Sequence, residues 1–470
     1  MAITPEQPEN ISPPNDLNSE AQGTVTAPNN LTAEPAGSVD APNNLTAEPA
    51  GSVDAPNTLS AEPVGTFAVP NTLSAQPAGT VVAPNTLSAL DAQPLPRTLC
   101  PLVSLDFAND LYAQYGQGKN LADIATFTRA STGTFINRQL NNLNQWEYFV
   151  DTAANDVLRR EYNPETGENL GALIEGGSTN LALYSEQFDN AAWVKSGVAV
   201  TPNYGIAPDG TQNANRLIFD GVDKRILQSF TLGNASTASF WVKGNAGETI
   251  RVAVPNGAAE NKTLTGKWQR VENRNGVAGG ASEMNLSTFG GATARDMLVW
   301  GAQLEELPFA SSYIPTLAAP VVRARDDFTI TNTTILDANA EQSIITKFNI
   351  TSTVRAQRPW GINDFSFYYS RIKESGGFEV INGVTLGTVN NSELSGIIYY
   401  AQKPGERTVG KNNITTTDNS GVYAIKEAGA QLIRLGNSAH SQSTDQAYYG
   451  HIGLFSYYNL ALTQQEINQL

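Results

Sequence analysis

Cysteine is almost absent. Cys100 is the only one in 470 residues, which excludes an intrachain disulfide and any thiolate metal cluster built within one chain. Histidine is nearly as scarce: with His440 and His451 alone, a His-rich metal site or a Ser-His-Asp triad has almost nothing to be made from. His451, inside the strand-like Gly450-His451-Ile452, reads as structural, and His440, in the polar run Asn437-Ser438-Ala439-His440-Ser441, as solvated. No metal and no cofactor is expected. Charge is thin at 16% of residues, and the basic groups are the rarer, 29 against 45 acidic, for a net charge of −16. Phosphate binding is driven by clustered Lys and Arg, so nucleic acid is not an expected partner. No stretch approaches the ~18 apolar residues of a membrane span, so no membrane insertion is expected either. The opening Met-Ala-Ile-Thr-Pro-Glu-Gln-Pro lacks the basic segment and the apolar core of a secretory signal. The expectation is a soluble chain made in a cytoplasm.

What is abundant is Gly, Thr, Ser and Asn, which favours short strands and many turns over amphipathic helices; the predicted fold class is all-β. The strongest feature is a repeat. Pro14, Pro28, Pro42, Pro56, Pro70 and Pro84 recur every 14 residues, each followed by Asn. Leu17, Leu31, Leu45, Leu59, Leu73 and Leu87 keep step, as do Val25, Val39, Val53, Phe67 and Val81. Pro and Gly in each unit exclude helix and allow short β-prone pairs between bends. About two apolar anchors per unit are too few for an isolated core. The units must therefore stack on themselves, pair with other copies or lie along a partner surface. Residues 1–97 are predicted to form an extended arm, at most ~45–50 Å per unit when drawn out. A Pro-rich spacer is the plainer alternative, but a spacer needs composition and not register. The arm is acidic, with ten carboxylates against Arg97 within residues 1–98.

Beyond Pro96 the composition becomes globular. Residues 98–185 mix short strands and turns. Residues 186–317 alternate like half-buried strands, as in Thr237-Ala238-Ser239-Phe240-Trp241-Val242-Lys243, and a second strand series fills 318–470. Two antiparallel β-sandwich (jelly-roll) domains are predicted, with 98–185 either separate or completing the last sandwich around the middle one. Thr463-Gln464-Gln465-Glu466 is a capping box for a short terminal helix. A glycosidase would need two carboxylates about 5–10 Å apart. Glu305-Glu306 and Asp326-Asp327 are adjacent, so on a strand they face opposite ways, and no catalytic residue is assigned.

Several phrases carry a resemblance. They are Leu105-Asp106-Phe107, Ala125-Thr126-Phe127-Thr128-Arg129-Ala130-Ser131-Thr132-Gly133-Thr134-Phe135, Tyr162-Asn163-Pro164-Glu165-Thr166-Gly167 and Leu173-Ile174-Glu175. Further on come Tyr184-Ser185-Glu186-Gln187-Phe188, Trp300-Gly301-Ala302-Gln303-Leu304-Glu305, Ser311-Ser312-Tyr313-Ile314-Pro315-Thr316 and the closing Gly450 to Glu466. Together they cover about residues 102–470, and the chain resembles phage tail-fibre and virion structural proteins with concanavalin-like (laminin-G-like) and carbohydrate-binding-module-like jelly rolls. Arg323-Ala324-Arg325-Asp326 departs from that pattern. The resemblance implies a tail fibre or spike, anchored to the virion through the repeats and presenting sandwiches for host-surface glycan binding. A capsid decoration or neck and tail connector protein is the alternative, and a polysaccharide depolymerase the third. Other virion proteins and a homo-oligomer, by analogy a trimer, are the implied partners, and the phage particle the implied location.

The anchoring positions would be Pro28, Leu31, Val39, Pro42, Leu45, Val53, Pro56, Leu59, Phe67, Pro70, Leu73 and Val81. Sugar binding uses an aromatic face and amide or carboxylate partners. In the turn-like Arg358-Pro359-Trp360-Gly361-Ile362-Asn363-Asp364, Trp360 with Asn363 and Asp364 is the candidate, joined by Tyr400. Trp193, Trp241, Trp268 and Trp300 read as core. Trp146, in the polar run from Asn141, caps a hairpin or meets a neighbouring chain.

Overall fold

The computed structural model describes ten short strands between residues 16 and 82. It also describes residues 101–468 except 142, 290–293, 331–340, 353–355, 363–367, 383, 404–405, 419–431 and 437–446. Two compact units, Met1–Leu99 and Cys100–Leu470, make up the chain.

In the first unit the repeat is wound and not extended. Strands Asp16–Ser19, Asn30–Ala33, Asn44–Ala47, Thr58–Ala61 and Thr72–Ala75 lie side by side in one parallel sheet. Strands Thr24–Thr26, Ser38–Asp40, Val53–Asp54, Phe67–Ala68 and Val81–Val82 form the other. Register follows the period: Leu17, Leu31, Leu45, Leu59 and Leu73 align across the first sheet. Val25, Val39, Val53, Phe67 and Val81 align across the second. One unit thus advances the stack by a strand spacing of about 4.8 Å. The physical reason for winding is backbone pairing: a drawn-out unit leaves its N–H and C=O groups without partners, whereas stacking pairs them and sets like residues beside like. The predicted anchoring prolines Pro28, Pro42, Pro56 and Pro70 lie outside the described residues.

The second unit is antiparallel throughout its main sheets. Val103, Leu105 and Phe107 occupy alternate positions and are fully buried, as expected for a strand with one face to a core; each such side chain contributes about 1.5–3 kcal/mol. Strand Val103–Asp106 pairs with Tyr449–Tyr458, which pairs in turn with Asn169–Glu175 and Gln342–Ile350. Ser395–Lys403, Glu406–Lys411 and Ile414–Asp418 extend that sheet. The facing sheet runs Ala125–Thr128, Asp327–Ile330, Ile433–Leu435, Trp360–Ile362, Tyr368–Ile372, Phe378–Asn382 and Val384–Val389. Segments from 98–185 and from 318–470 therefore share both sheets and one core, which includes Phe107, Phe328, Ile344, Phe348 and Phe455. The terminal turn Gln464–Ile467 is capped as expected by Thr463 and Glu466.

Between these halves the chain leaves through a neck, Ser178–Asn180 paired with Val321–Arg323, and builds an inserted sandwich. One inserted sheet is Val194–Ser196, Arg225–Leu232, Gly279–Ser287, Thr249–Ala253 and Glu260–Thr263; the other is Val198–Gly205, Ala214–Phe219, Arg295–Glu305, Ser236–Lys243 and Gln269–Gly276. Phe188, Trp193, Phe240, Ile250 and Leu286 fill the space between.

A buried ion network locks the neck. Asp326 accepts from Arg159 at 2.6 Å, Arg129 at 3.2 Å and the Glu175 backbone N–H at 2.8 Å. Glu175 pairs with Arg159 at 2.8 Å and Arg323 at 3.6 Å, and accepts from the Ser312 N–H and hydroxyl at 2.9 and 2.6 Å. All five charged residues are buried, which such groups tolerate only when paired. Burial alone would raise the Glu175 carboxyl; the charges of Arg323 and Arg159 and the Ser312 hydrogen bonds overcome it and hold it at about 2. Phrases that carry the resemblance thus meet at one joint, although Arg129 and Asp326 stand 197 positions apart.

Candidate functional site

Trp360 and Tyr400 are not at the surface. Trp360 is 1% and Tyr400 0% exposed, both within the core of the outer sandwich, so neither ring offers a face to a sugar. Pro359 leads straight into a strand, and the strand's alternation turns Trp360 inward; Tyr400 turns its ring to the same core. Asn363 and Asp364 lie outside the described residues. His451 is bonded to Glu161 at 2.6 Å, and His440 lies outside the described residues. The two adjacent acidic pairs are taken up structurally. Glu305 accepts from Ser178 and Ser311, and Glu306 from the N–H groups of Gly233 and Asn234. Asp326 belongs to the joint, and Asp327 pairs with Arg434 at 3.2 Å.

The inserted sandwich has two outer faces with different fates. On the second sheet, Trp300, half-buried Trp241 and Tyr313 are covered by Ile136 and Val150 of the hairpin Gly133–Leu140/Trp146–Ala153. On the first sheet the residues at the centre of the outer face are nearly buried, Ser287 at 1% and Leu227 and Asn285 at 6% exposed, whereas Val194, Ser196 and Asn261 toward its rim are exposed and Arg225, Arg251 and Ala253 half-buried. Its inner face carries Ile226, Leu286 and Val252 in register. Direct cross-strand partners share a face, so the outer face can be read off in rows. Ser196, Arg225, Ser287, Arg251 and Asn261 form one row across all five strands. Val194, Leu227, Asn285 and Ala253 form the next, and Ser229 with Glu283 a third.

This face combines groups suited to a hydroxylated ligand. Two arginines flank Ser287 at two strand spacings, about 10 Å. Arg225 is tied to Glu283 at 2.8 Å, while the Arg251 side chain makes no hydrogen bond or ion pair among the described residues. Asn285 is 6% exposed, its amide nitrogen 3.4 Å from Glu283, and its Oδ1 is buried without a partner. Half-buried Ala253 and the exposed Val194 supply apolar surface beside the polar row. Nothing in the sequence singled these residues out, because no local motif joins them. The usable signal was the alternation of Arg225-Ile226-Leu227 and Arg251-Val252-Ala253, which marks an outward arginine on each strand but not that the two share a row.

No protein-family model matches the sequence, and no curated protein does. Among solved structures, a Ruminococcus gnavus sialidase CBM40 bound to alpha2,3 sialyllactose is 15% identical and aligns over 27% of this chain and 80% of that one, with a TM-score of 0.24. The CBM22-1-CBM22-2 tandem domain of Paenibacillus barcinonensis Xyn10C is 12% identical, over 60% and 98%, at 0.21. The enzymatically active domain of bacteriophage CBA120 tailspike protein 4 is 11% identical, over 63% and 43%, at 0.21.

Proposed function

We propose that this chain is a non-enzymatic structural and binding protein of a phage particle, and that the arginine row on the first sheet of its inserted sandwich holds a glycan. One observation carries the glycan part: the row Ser196, Arg225, Ser287, Arg251 and Asn261, in which two half-buried arginines stand two strands apart. A pyranose laid across that row would accept from Arg251, with its apolar side against half-buried Ala253. The two guanidinium groups favour a sugar bearing a carboxylate, because a planar fork of N–H donors matches that group. The virion part is supported by the order of the resembling phrases and by the wound repeat, whose coils recur in register at a fixed spacing, as a regularly repeating partner would require.

The test uses the full chain on a glycan array and on intact bacteria, with released sugar followed in the same samples. Saturable binding without release is expected, and binding of at least one carboxylate-bearing glycan should weaken about tenfold in Arg251→Gln. Released oligosaccharide would replace the binder with a depolymerase. Absence of binding, together with decoration of purified phage particles by an antibody to the chain, would leave the connector or decoration role.

A further inference from the structure

The hairpin Gly133–Leu140/Trp146–Ala153 pairs only with itself in the described sheets, and its base is the part that covers the inserted sandwich. Toward its tip the apolar side chains are open: Leu140 is 53%, Leu143 76% and Trp146 49% exposed. Of the six tryptophans this is the one so exposed; Trp193, Trp300 and Trp360 are buried and Trp241 and Trp268 half-buried. The pairs Arg138 with Tyr148 and Leu140 with Trp146 put these four residues on one face. There the Arg138 guanidinium is clamped between two rings, 4.1 Å from the centre of Trp146 and 4.2 Å from that of Tyr162. Its one described acceptor is the Gly167 carbonyl, 3.4 Å from Nη1, so Nε and Nη2 face no described partner. Asn141 closes the turn, accepting from the Leu143 and Gln145 N–H groups and donating to Glu147 at 3.0 Å.

The tip therefore holds a half-open indole, backed by a fixed cation, with N–H donors at its edge. Stacking between two rings fixes the plane of the guanidinium, so little conformational freedom is lost when its free N–H groups meet an oxygen. The open part of an indole suits the C–H face of a sugar ring, and the fork suits a hydroxyl or carboxylate oxygen. We infer that Trp146 and Arg138 form a second saccharide-binding site, in which a pyranose ring stacks on Trp146 and passes one oxygen to Arg138. It lies on the outer sandwich's hairpin and does not depend on the arginine-row site.

The experiment compares the full chain with Trp146→Ala, Trp146→Phe, Arg138→Gln and Arg251→Gln on a glycan array of bacterial and host polysaccharides. Acrylamide quenching of tryptophan fluorescence is measured with and without each arrayed glycan that binds. Trp146→Ala and Arg138→Gln are expected to weaken binding of at least one glycan about tenfold, Trp146→Phe to retain most of it, and Arg251→Gln to leave that glycan unaffected. The same glycan should shield the quenchable tryptophan in the wild type and in Arg251→Gln. A chain that binds no arrayed glycan, or binding that Trp146→Ala leaves unchanged, overturns the inference. So does a result in which Trp146→Ala alters only self-association, since the tip would then be a contact between copies. Loss confined to Arg251→Gln would keep the arginine-row site and remove this one.

Discussion

Replacing Asp326 with alanine removes the carboxylate on which the joint between the two sandwiches converges. The side chain accepts from Arg159 at 2.6 Å, Arg129 at 3.2 Å and the Glu175 N–H at 2.8 Å. Arg159 would keep Glu175 at 2.8 Å. Arg129 would lose its one described carboxylate and be left with the carbonyls of Ser131 and Ala154, each at 2.8 Å, and Val157 at 3.1 Å. A buried guanidinium stripped of its counter-charge is destabilising by about 3–5 kcal/mol. Against a usual total of about 5–15 kcal/mol that is a large share. At roughly 2–4 °C per kcal/mol for a domain of 150–250 residues, the unfolding temperature should drop by about 10 °C. Calorimetry of the full chain reads the shift, and Asp326→Asn, which keeps the size but not the charge, should fall most of the way. The inserted sandwich should also become easier to release by limited proteolysis near residues 178 and 323. A drop below about 3 °C would mean that the network is not what holds the joint.

Acid should open the same place. Because Glu175 sits at about 2 in the fold and near 4.3 when unfolded, its contribution is complete above pH ~4.3 and disappears as the pH falls toward 2. It amounts to about 3 kcal/mol, and Glu175→Gln should flatten that limb of the stability-pH curve. Lys411 should act in the opposite range. It is fully buried and donates to the carbonyls of Gly376, Asn391 and Glu393 at 2.9, 2.8 and 2.6 Å; burial, opposed by the charge of Glu393, pushes it down to about 8. The unfolded chain keeps that proton to about 10.4. Stability should therefore rise with pH from 8 upward relative to Lys411→Met, measured by urea denaturation; equal slopes would contradict this. Lys411→Met should also loosen the groove of about 720 Å³ between Glu393, Asn412, Asn413 and Asn468, seen as faster amide exchange at residues 391–396. Deleting residues 44–57 removes one complete coil and preserves register. Attachment to particles should weaken stepwise with each coil lost, and an all-or-none response in a co-sedimentation assay would contradict repeated equivalent contacts.

The primary structure by itself determined the 14-residue period, the all-β class and the division into a repetitive and a globular part. These depend on residue type at regular spacing: Pro and Gly bar helix, and alternation such as Val103, Leu105 and Phe107 marks a half-buried strand. Winding of the repeat needed the structure, because in-phase Leu and Val satisfy self-stacking, pairing with copies and docking equally well. Alternation also states that one face is buried without saying which ring lies on it. That is why Trp360, beside a proline and two polar residues, suggested a surface turn yet fills the core, while Trp146, in an Asn-rich run, stands open. Arg225, Arg251 and Asn285 became neighbours only through strand register, and Arg129, Glu175 and Asp326 only through an insertion that closes on itself. Long-range pairing is set by the sum of many weak contacts over the whole sheet, and no single local phrase contains it.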